Sequence, residues 1–251
     1  MQGKIVITTQ PADQAGALLE LLRQKGADAH NMPMIETRTR ALEKEVMEEH
    51  LPGHPPHWLV FTSRKGVKGF FENLQNHFSA SGFPAQTRIA VVGVATAEAL
   101  HEFGQKATLI NPEGNARSLS VQLQEKLKGG EKILLALGNL APTLLQEQLG
   151  HKAKVYRWDV YDTHPVKNVD PQLRALIEQE KAHMCIFTSP SGFYAFLDIF
   201  TNPKTLNLAA IGATTASAIR EAGYPVAATA SHPTPQALAE AIEEFFRQKP
   251  M

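Results

Sequence analysis

Met184-Cys185-Ile186-Phe187-Thr188-Ser189-Pro190-Ser191-Gly192 has an earlier counterpart in Trp58-Leu59-Val60-Phe61-Thr62-Ser63-Arg64-Lys65-Gly66. Each begins as a continuous apolar run, the mark of a strand buried on both faces, and ends in Thr-Ser before a helical pattern. After the second copy, Phe193, Phe196, Leu197 and Phe200 recur on one helix face. Ser189 suits the N-cap there and Pro190 the first turn. Such a strand-to-helix turn leaves backbone N–H groups pointing past the strand end, where they meet an anion without help from Lys or Arg.

Working outward, the two copies belong to longer series in one order. Gly3-Lys4-Ile5-Val6-Ile7 returns as Glu131-Lys132-Ile133-Leu134-Leu135, the extended segment 29–37 as 154–163, and Val91-Val92-Gly93 as Ala210-Ile211-Gly212. Several matches in one order indicate a tandem repeat, and periodicity alone cuts it near Gly130. Between these strands lie helical patterns: 12–25 with Leu18, Leu19, Leu21 and Leu22, a charged stretch 41–51 closed by Pro52-Gly53-His54-Pro55-Pro56, then 64–74, 96–103, 116–128 and 142–149. Strands alternating with helices over short connections predict an α/β fold of two similar lobes, each a mostly parallel sheet with helices on both faces. Pro33 interrupts the segment 29–39 and cannot donate to a central ladder, which places that segment at an edge or between lobes.

The 25 basic and 25 acidic residues cancel, so no net positive field draws the chain to nucleic acid or to an acidic membrane, and an anionic ligand must be met locally. No apolar run approaches the roughly 18 residues of a membrane span, and no secretory pattern opens the chain. With Cys185 the only cysteine, internal disulfides and thiolate clusters are excluded, which fits a reducing, cytoplasmic compartment. His50, His54 and His57 have metal-like spacing, but Pro52, Gly53, Pro55 and Pro56 deny them a common helix face; no metal is expected. Neither a phosphate-binding G-x-x-x-x-G-K-[ST] nor a G-x-G-x-x-G after a strand occurs, so a nucleotide cofactor is unsupported.

The strand ends carry hydroxyls and glycine instead: Thr62-Ser63, Gly93-Val94-Ala95-Thr96, Thr188-Ser189 and Gly212-Ala213-Thr214-Thr215. Taken singly, each is an ordinary helix cap. Facing one cleft together, they form a lining of neutral donors suited to a ligand with many carboxylates or phosphates. Tyr161, in Val160-Tyr161-Asp162-Thr163, is the polar aromatic of the crossing segment; it either packs a hinge or meets the ligand.

In Phe187-Thr188-Ser189-Pro190-Ser191-Gly192, Ala210-Ile211-Gly212-Ala213-Thr214-Thr215 and Pro233-Thr234-Pro235-Gln236-Ala237-Leu238 the chain resembles the uroporphyrinogen-III synthase family. Weaker echoes are Thr9-Gln10-Pro11, Gly138-Asn139 and Val160-Tyr161-Asp162-Thr163. The resemblance implies a discontinuous domain of residues 1–34 and 166–251, a second of 38–160, and two-stranded connections at 35–37 and 161–165. It implies hydroxymethylbilane, a linear tetrapyrrole with eight carboxylates, as substrate, closed with inversion of the last pyrrole ring and loss of water. No cofactor and no macromolecular partner are implied, and a monomer is expected. By position, Tyr161 matches the tyrosine near the reacting end, whose role is to assist the leaving hydroxyl. Thr62, Ser63, Gly93, Thr96, Asn115, Gly138, Asn139, Thr188, Ser189, Gly212, Thr214 and Thr215 match the polar lining. Two departures stand out: Gln10 where many relatives have arginine, and Arg64-Lys65 where the second copy keeps Pro190-Ser191. The alternative is a two-lobed cytoplasmic binding protein that closes on a polyanion without chemistry.

Overall fold

The computed structural model describes residues 1–51, 53–78, 83–201, 203 and 205–248, so Pro52 of the breaker run lies outside the described residues. The chain divides into two compact units, Met1–Glu36 with His164–Met251, and Thr37–Thr163.

The first unit is built on β1 (Ile5–Thr8), β2 (Asp28–Asn31), β9 (Met184–Phe187), β10 (Asn207–Ala210) and β11 (Ala228–Thr229), in the order β11-β10-β9-β1-β2. All its pairings are parallel, with Ile7 beside Cys185 on one side and His30 on the other. The second holds β3 (Ile35–Thr39), β4 (Trp58–Phe61), β5 (Arg88–Val92), β6 (Leu109–Asn111), β7 (Lys132–Gly138) and β8 (Lys154–Pro165), in the order β3-β8-β7-β4-β5-β6. From β6 through β8 its ladders are parallel, and Phe61 sits beside both Val91 and Ala136. The chain passes from unit to unit inside β3 and again inside β8. Pro33 falls in the gap between β2 and β3, each an edge strand of its own sheet, where its missing N–H breaks no ladder.

The repeat is real, but the units do not divide at Gly130. β1 and β2 of the first copy join β9, β10 and β11 of the second, while β4, β5 and β6 join β7 and β8. The copies have exchanged their halves. Periodicity reads similarity along the chain and is blind to which neighbour a strand pairs with, so it cuts between copies rather than between units.

Alternation along each strand builds a core on each sheet face. In the first unit Ile7, Cys185, Phe187 and Leu208 point to α7 (Pro171–Glu178), α8 (Pro190–Leu197) and α9 (Ala213–Glu221). Val6, Met184, Ile186 and Ala209 point to α1 (Gly16–Gln24) and α10 (Pro235–Gln248). In the second unit Leu59, Phe61, Val91 and Leu134 meet α3 (Arg64–His77) and α4 (Val94–His101); Trp58, Val60, Ala90 and Leu135 meet α5 (Ala116–Lys126) and α6 (Leu144–Gly150). Phe61, Phe70, Phe187, Phe193 and Phe196 are fully buried, each contributing about 1.5–3 kcal/mol of transfer free energy. Two helices are shorter than their sequence patterns by more than two residues. The 12–25 pattern opens with a 3-10 turn over Ala12–Gln14 behind Pro11, and α1 starts only at Gly16. The 41–51 pattern yields only α2 (Lys44–Glu48), in which Met47 alone is buried; one apolar anchor does not hold a long acidic helix.

Candidate functional site

The strand ends of the second unit converge on Tyr161. β7 and β8 pair in register up to Leu137 opposite Asp159, then a bulge brings Gly138 opposite Tyr161; bulges re-aim side chains in this way. The Tyr161 ring lies so close over Gly138 that a Cβ there would stand 2.4 Å from ring carbon Cζ and 2.7 Å from the hydroxyl oxygen. Glycine is required here for close approach, not for an unusual backbone. The Tyr161 hydroxyl is 3.3 Å from Ser63 Oγ. Ser63 Oγ also accepts the Gly66 N–H at 3.1 Å as N-cap of α3, as the Thr-Ser turn requires. Asn139 completes the group: its N–H donates to the Tyr161 carbonyl, and its Oδ1 accepts the Thr163 N–H. Ser63, Gly138, Asn139 and Tyr161 are thus one cluster.

Thr62 and Asn115 line a neighbouring cavity of about 250 Å³, otherwise bounded by Val92, Ala116, Leu137 and Leu145 among others. Asn115 caps α5 by accepting the Ser118 N–H. Gly93 has φ +79°, a left-handed value that favours glycine, and its N–H donates to the Asn111 carbonyl. Thr96, in the first turn of α4, is buried.

In the first unit Ser189 caps α8 by accepting the Gly192 N–H at 3.1 Å, and its Oγ lies 3.1 Å from Ser191 Oγ. Thr188 is half-buried beside it. Gly212 precedes α9 in extended backbone, with no atom within 4 Å of where a Cβ would stand. Thr214 is exposed, whereas Thr215 is buried. Burial leaves Thr96 and Thr215 little surface to offer a ligand, and they hold equivalent places in the two copies. Gln10 is 8% exposed and donates to the Gln14 carbonyl.

Arg157 carried no signal in the sequence. From β8 its guanidinium donates to the carbonyls of Gly138 and Ala141, each at 3.0 Å, and to Gln146 Oε1, with an ion pair to Asp159 at 2.8 Å. Its carbonyl partners come from another strand's end, so no local spacing marks it. Arg40 forks onto Asp162, and that hydrogen bond, opposed by burial, raises its pKa. Cys185 is wholly buried, which pushes its thiol pKa upward and leaves no nucleophile. Among the described residues no group of His, Cys, Asp and Glu could hold a metal; His57 Nδ1 instead accepts the Lys132 N–H, and the His50 ring lies tilted against Tyr156, centroids 4.3 Å apart. No helix among them is long and apolar enough to cross a membrane.

The profile of the family described as uroporphyrinogen-III synthase HemD matches residues 16–240. Over 222 residues the chain is 25% identical to the porphyrin biosynthesis protein HemD of Ruminiclostridium josui, a match over 87% of this chain but only 44% of that longer protein. It is 26% identical over 253 residues to a uroporphyrinogen-III synthase of Chlorobaculum parvum, covering 97% of this chain and 100% of that one. In fold it is similar to a mutant uroporphyrinogen III synthase of Thermus thermophilus, with TM-score 0.69, 17% identity, and 98% and 100% of the two chains covered.

Proposed function

Because the chain belongs to the uroporphyrinogen-III synthase family, we propose that it closes hydroxymethylbilane to uroporphyrinogen III, inverting the last pyrrole ring and releasing water. The observation that supports a reaction over mere binding is the Tyr161 hydroxyl, 3.3 Å from Ser63 Oγ at the strand ends of the second unit. Ser63 Oγ and the close glycine hold the phenol in one place.

The chemistry asks little of a protein beyond geometry. The lone pair of the terminal pyrrole nitrogen expels the hydroxyl and leaves an electron-poor azafulvene; Tyr161 O–H donates a hydrogen bond to the departing oxygen, which leaves as water after taking a proton. The last ring then attacks the azafulvene carbon at its substituted position, and bond migration exchanges its substituents. Closure without inversion is the unaided course, so the protein's main task is to hold the chain coiled, an effect worth on the order of 7 kcal/mol or more. Neutral donors at the strand ends suit the eight carboxylates: Thr62, Ser63, Gly93, Asn115 and Asn139 in the second unit, Thr188, Ser189, Gly212 and Thr214 in the first. Thr96 and Thr215 lie buried in the first turns of α4 and α9. The reading makes the protein a cyclising hydro-lyase without a cofactor, monomeric and cytoplasmic, and makes the two units the family's two domains. Binding without catalysis is not favoured.

The test is incubation with enzymatically generated hydroxymethylbilane, oxidation, and resolution of the isomers. A type III product in large excess over the type I isomer is expected; type I alone, at the rate without protein, would overturn the proposal.

A further inference from the structure

We infer that Arg157 is a positioning residue for the Tyr161 hydroxyl, acting through the turn that follows β7; the inference rests on the reading of Tyr161 above. Arg157 holds that turn from outside. Gly138 and Ala141 close it with an N–H to carbonyl bond of 2.9 Å, and the guanidinium donates to the carbonyls of both, each at 3.0 Å, with the Asn139 carbonyl at 3.5 Å. The far side of the same turn shapes the place of Tyr161. Gly138 is the surface on which its ring lies, and the Asn139 N–H fixes its carbonyl at 3.1 Å. A shift of the turn by a few tenths of an ångström therefore moves the ring or the strand that carries it.

Only arginine fills this position. A planar fork with five donors reaches several carbonyls and a carboxylate at once, whereas an ammonium is a single point. The Arg157 side chain is 15% exposed, and its charge is met by Asp159 at 2.8 Å. Asp159 lies 3.8 Å from Arg40, which forks onto Asp162, the residue after Tyr161. Both flanks of the tyrosine are thus tied to one chain of charges. The first unit lacks the device: the position equivalent to Arg157, beside Ile7 rather than Leu135, is His30, which pairs with Asp28. There the turn after β1 is held by a neutral amide; turned to donate, Asn31 reaches the carbonyls of Thr8 at 3.0 Å and Gln10 at 3.2 Å.

A double-mutant cycle of Arg157→Met with Tyr161→Phe, read by turnover and by NMR, tests this. Alone, Arg157→Met is expected to lower kcat about 10- to 100-fold, as small misplacements of a reacting group do, with KM within about threefold. In the Tyr161→Phe background it should cost less than about threefold, because the hydroxyl it positions is gone. Arg157→Lys should recover little of the loss, and it serves as the second variant should the methionine form fail to fold. Wild-type kcat in a folded variant, or full additivity of the two losses, overturns the inference. An independent readout decides the matter even if the wild type closes no bilane. With ring-labelled tyrosine, the Tyr161 resonance, assigned by its loss in Tyr161→Phe, should shift or broaden in Arg157→Met and Arg157→Lys while those of Tyr194 and Tyr224 stay in place. An unmoved Tyr161 resonance overturns the inference; absent turnover by wild type with a moved resonance overturns only the function assigned to the tyrosine.

Discussion

Ser63 and Ser189 cap their helices with nearly the same backbone, φ −158° and ψ 157° against φ −156° and ψ 153°, and each accepts a glycine N–H at 3.1 Å. What meets each hydroxyl differs. Ser63 Oγ faces the Tyr161 phenol, Ser189 Oγ faces its own helix at Ser191. The strand beside each turn differs in step: β7 ends in a glycine that a ring covers, whereas the equivalent of Gly138 in the first unit is Gln10, a side chain turned back onto its own turn. The two copies share a capped strand-to-helix turn, and only one sets a phenol over a glycine beside it, with an arginine on the same turn. The two units are alike in their caps and unlike in what faces them.

The hardest blow to this contrast is Gly138→Val. Its side chain would occupy the space of the Tyr161 ring, so activity should fall about 10³-fold with a stability loss of about 1–3 kcal/mol, while Gln10→Val should cost less than about tenfold. Equal losses in rate assays of the two folded variants would erase the distinction. Next comes Tyr161→Phe, which removes one hydrogen bond to the developing charge; single-turnover rate should drop roughly 10²- to 10³-fold. Its product should stay mainly type III, since the carboxylate lining still coils the chain. A full rate would reduce Tyr161 to packing, and mainly type I product would make it an orienting residue.

A smaller effect is expected at Gly212, where added bulk meets no protein atom. Gly212→Val should weaken binding of a linear tetrapyrrole analogue about tenfold by covering the N–H groups at the start of α9, for a helix-cap cost of about 1 kcal/mol. Exposed Arg64, at the first helical position where its counterpart is Pro190, should matter less: Arg64→Ala is expected to change affinity no more than about threefold, measured by titration. The reverse ranking would mean that the second unit meets carboxylates by charge.

The smallest effect concerns His183 and His57, which precede β9 and β4 and accept on Nδ1 the first N–H of the adjoining strand, from Ile5 and Lys132. Burial, then the charge of Lys4, lowers the His183 pKa. The unfolded chain therefore takes up this proton first as pH falls below about 6.5, so stability declines from there down to the lowered folded value and is unaffected above it. His183→Gln should flatten that decline, a difference of about 1–3 °C in Tm at pH 5.5 and none at pH 8. Parallel melting curves at both pH values would show that the imidazole does not titrate with folding.

Much of this was legible in residue order. Apolar runs ending in Thr-Ser located β4 and β9, and their caps followed from local hydrogen-bond chemistry. Periodicity alone did not show the exchange of halves, because β1 pairs with β9 about 178 residues away and β4 with β7 about 75 away; a discontinuous domain was implied only by the family resemblance. Arg157 was not legible either, since its partners are carbonyls at and just beyond the end of another strand. Thr96 and Thr215 show the limit of motif reading: their hydroxyl-bearing turns were visible, but which residue of each turn faces inward depends on where the helix begins, and capping patterns locate that only to within a residue or two.

The exchanged halves also order the making of the protein. On the ribosome, Thr37–Thr163 emerges as a complete sheet with its helices and can fold as soon as α6 and β8 clear the exit. β1 and β2 emerge earlier but cannot finish, since β1 lies between β2 and β9, and two strands alone do not hold together in water. Their apolar residues Val6, Ile7, Leu18 and Leu22 wait for some 150 residues of further synthesis before β9 closes over them. Strands made before the second unit are thus covered only after it, and for that interval β1 presents an open edge of the kind that pairs with other chains.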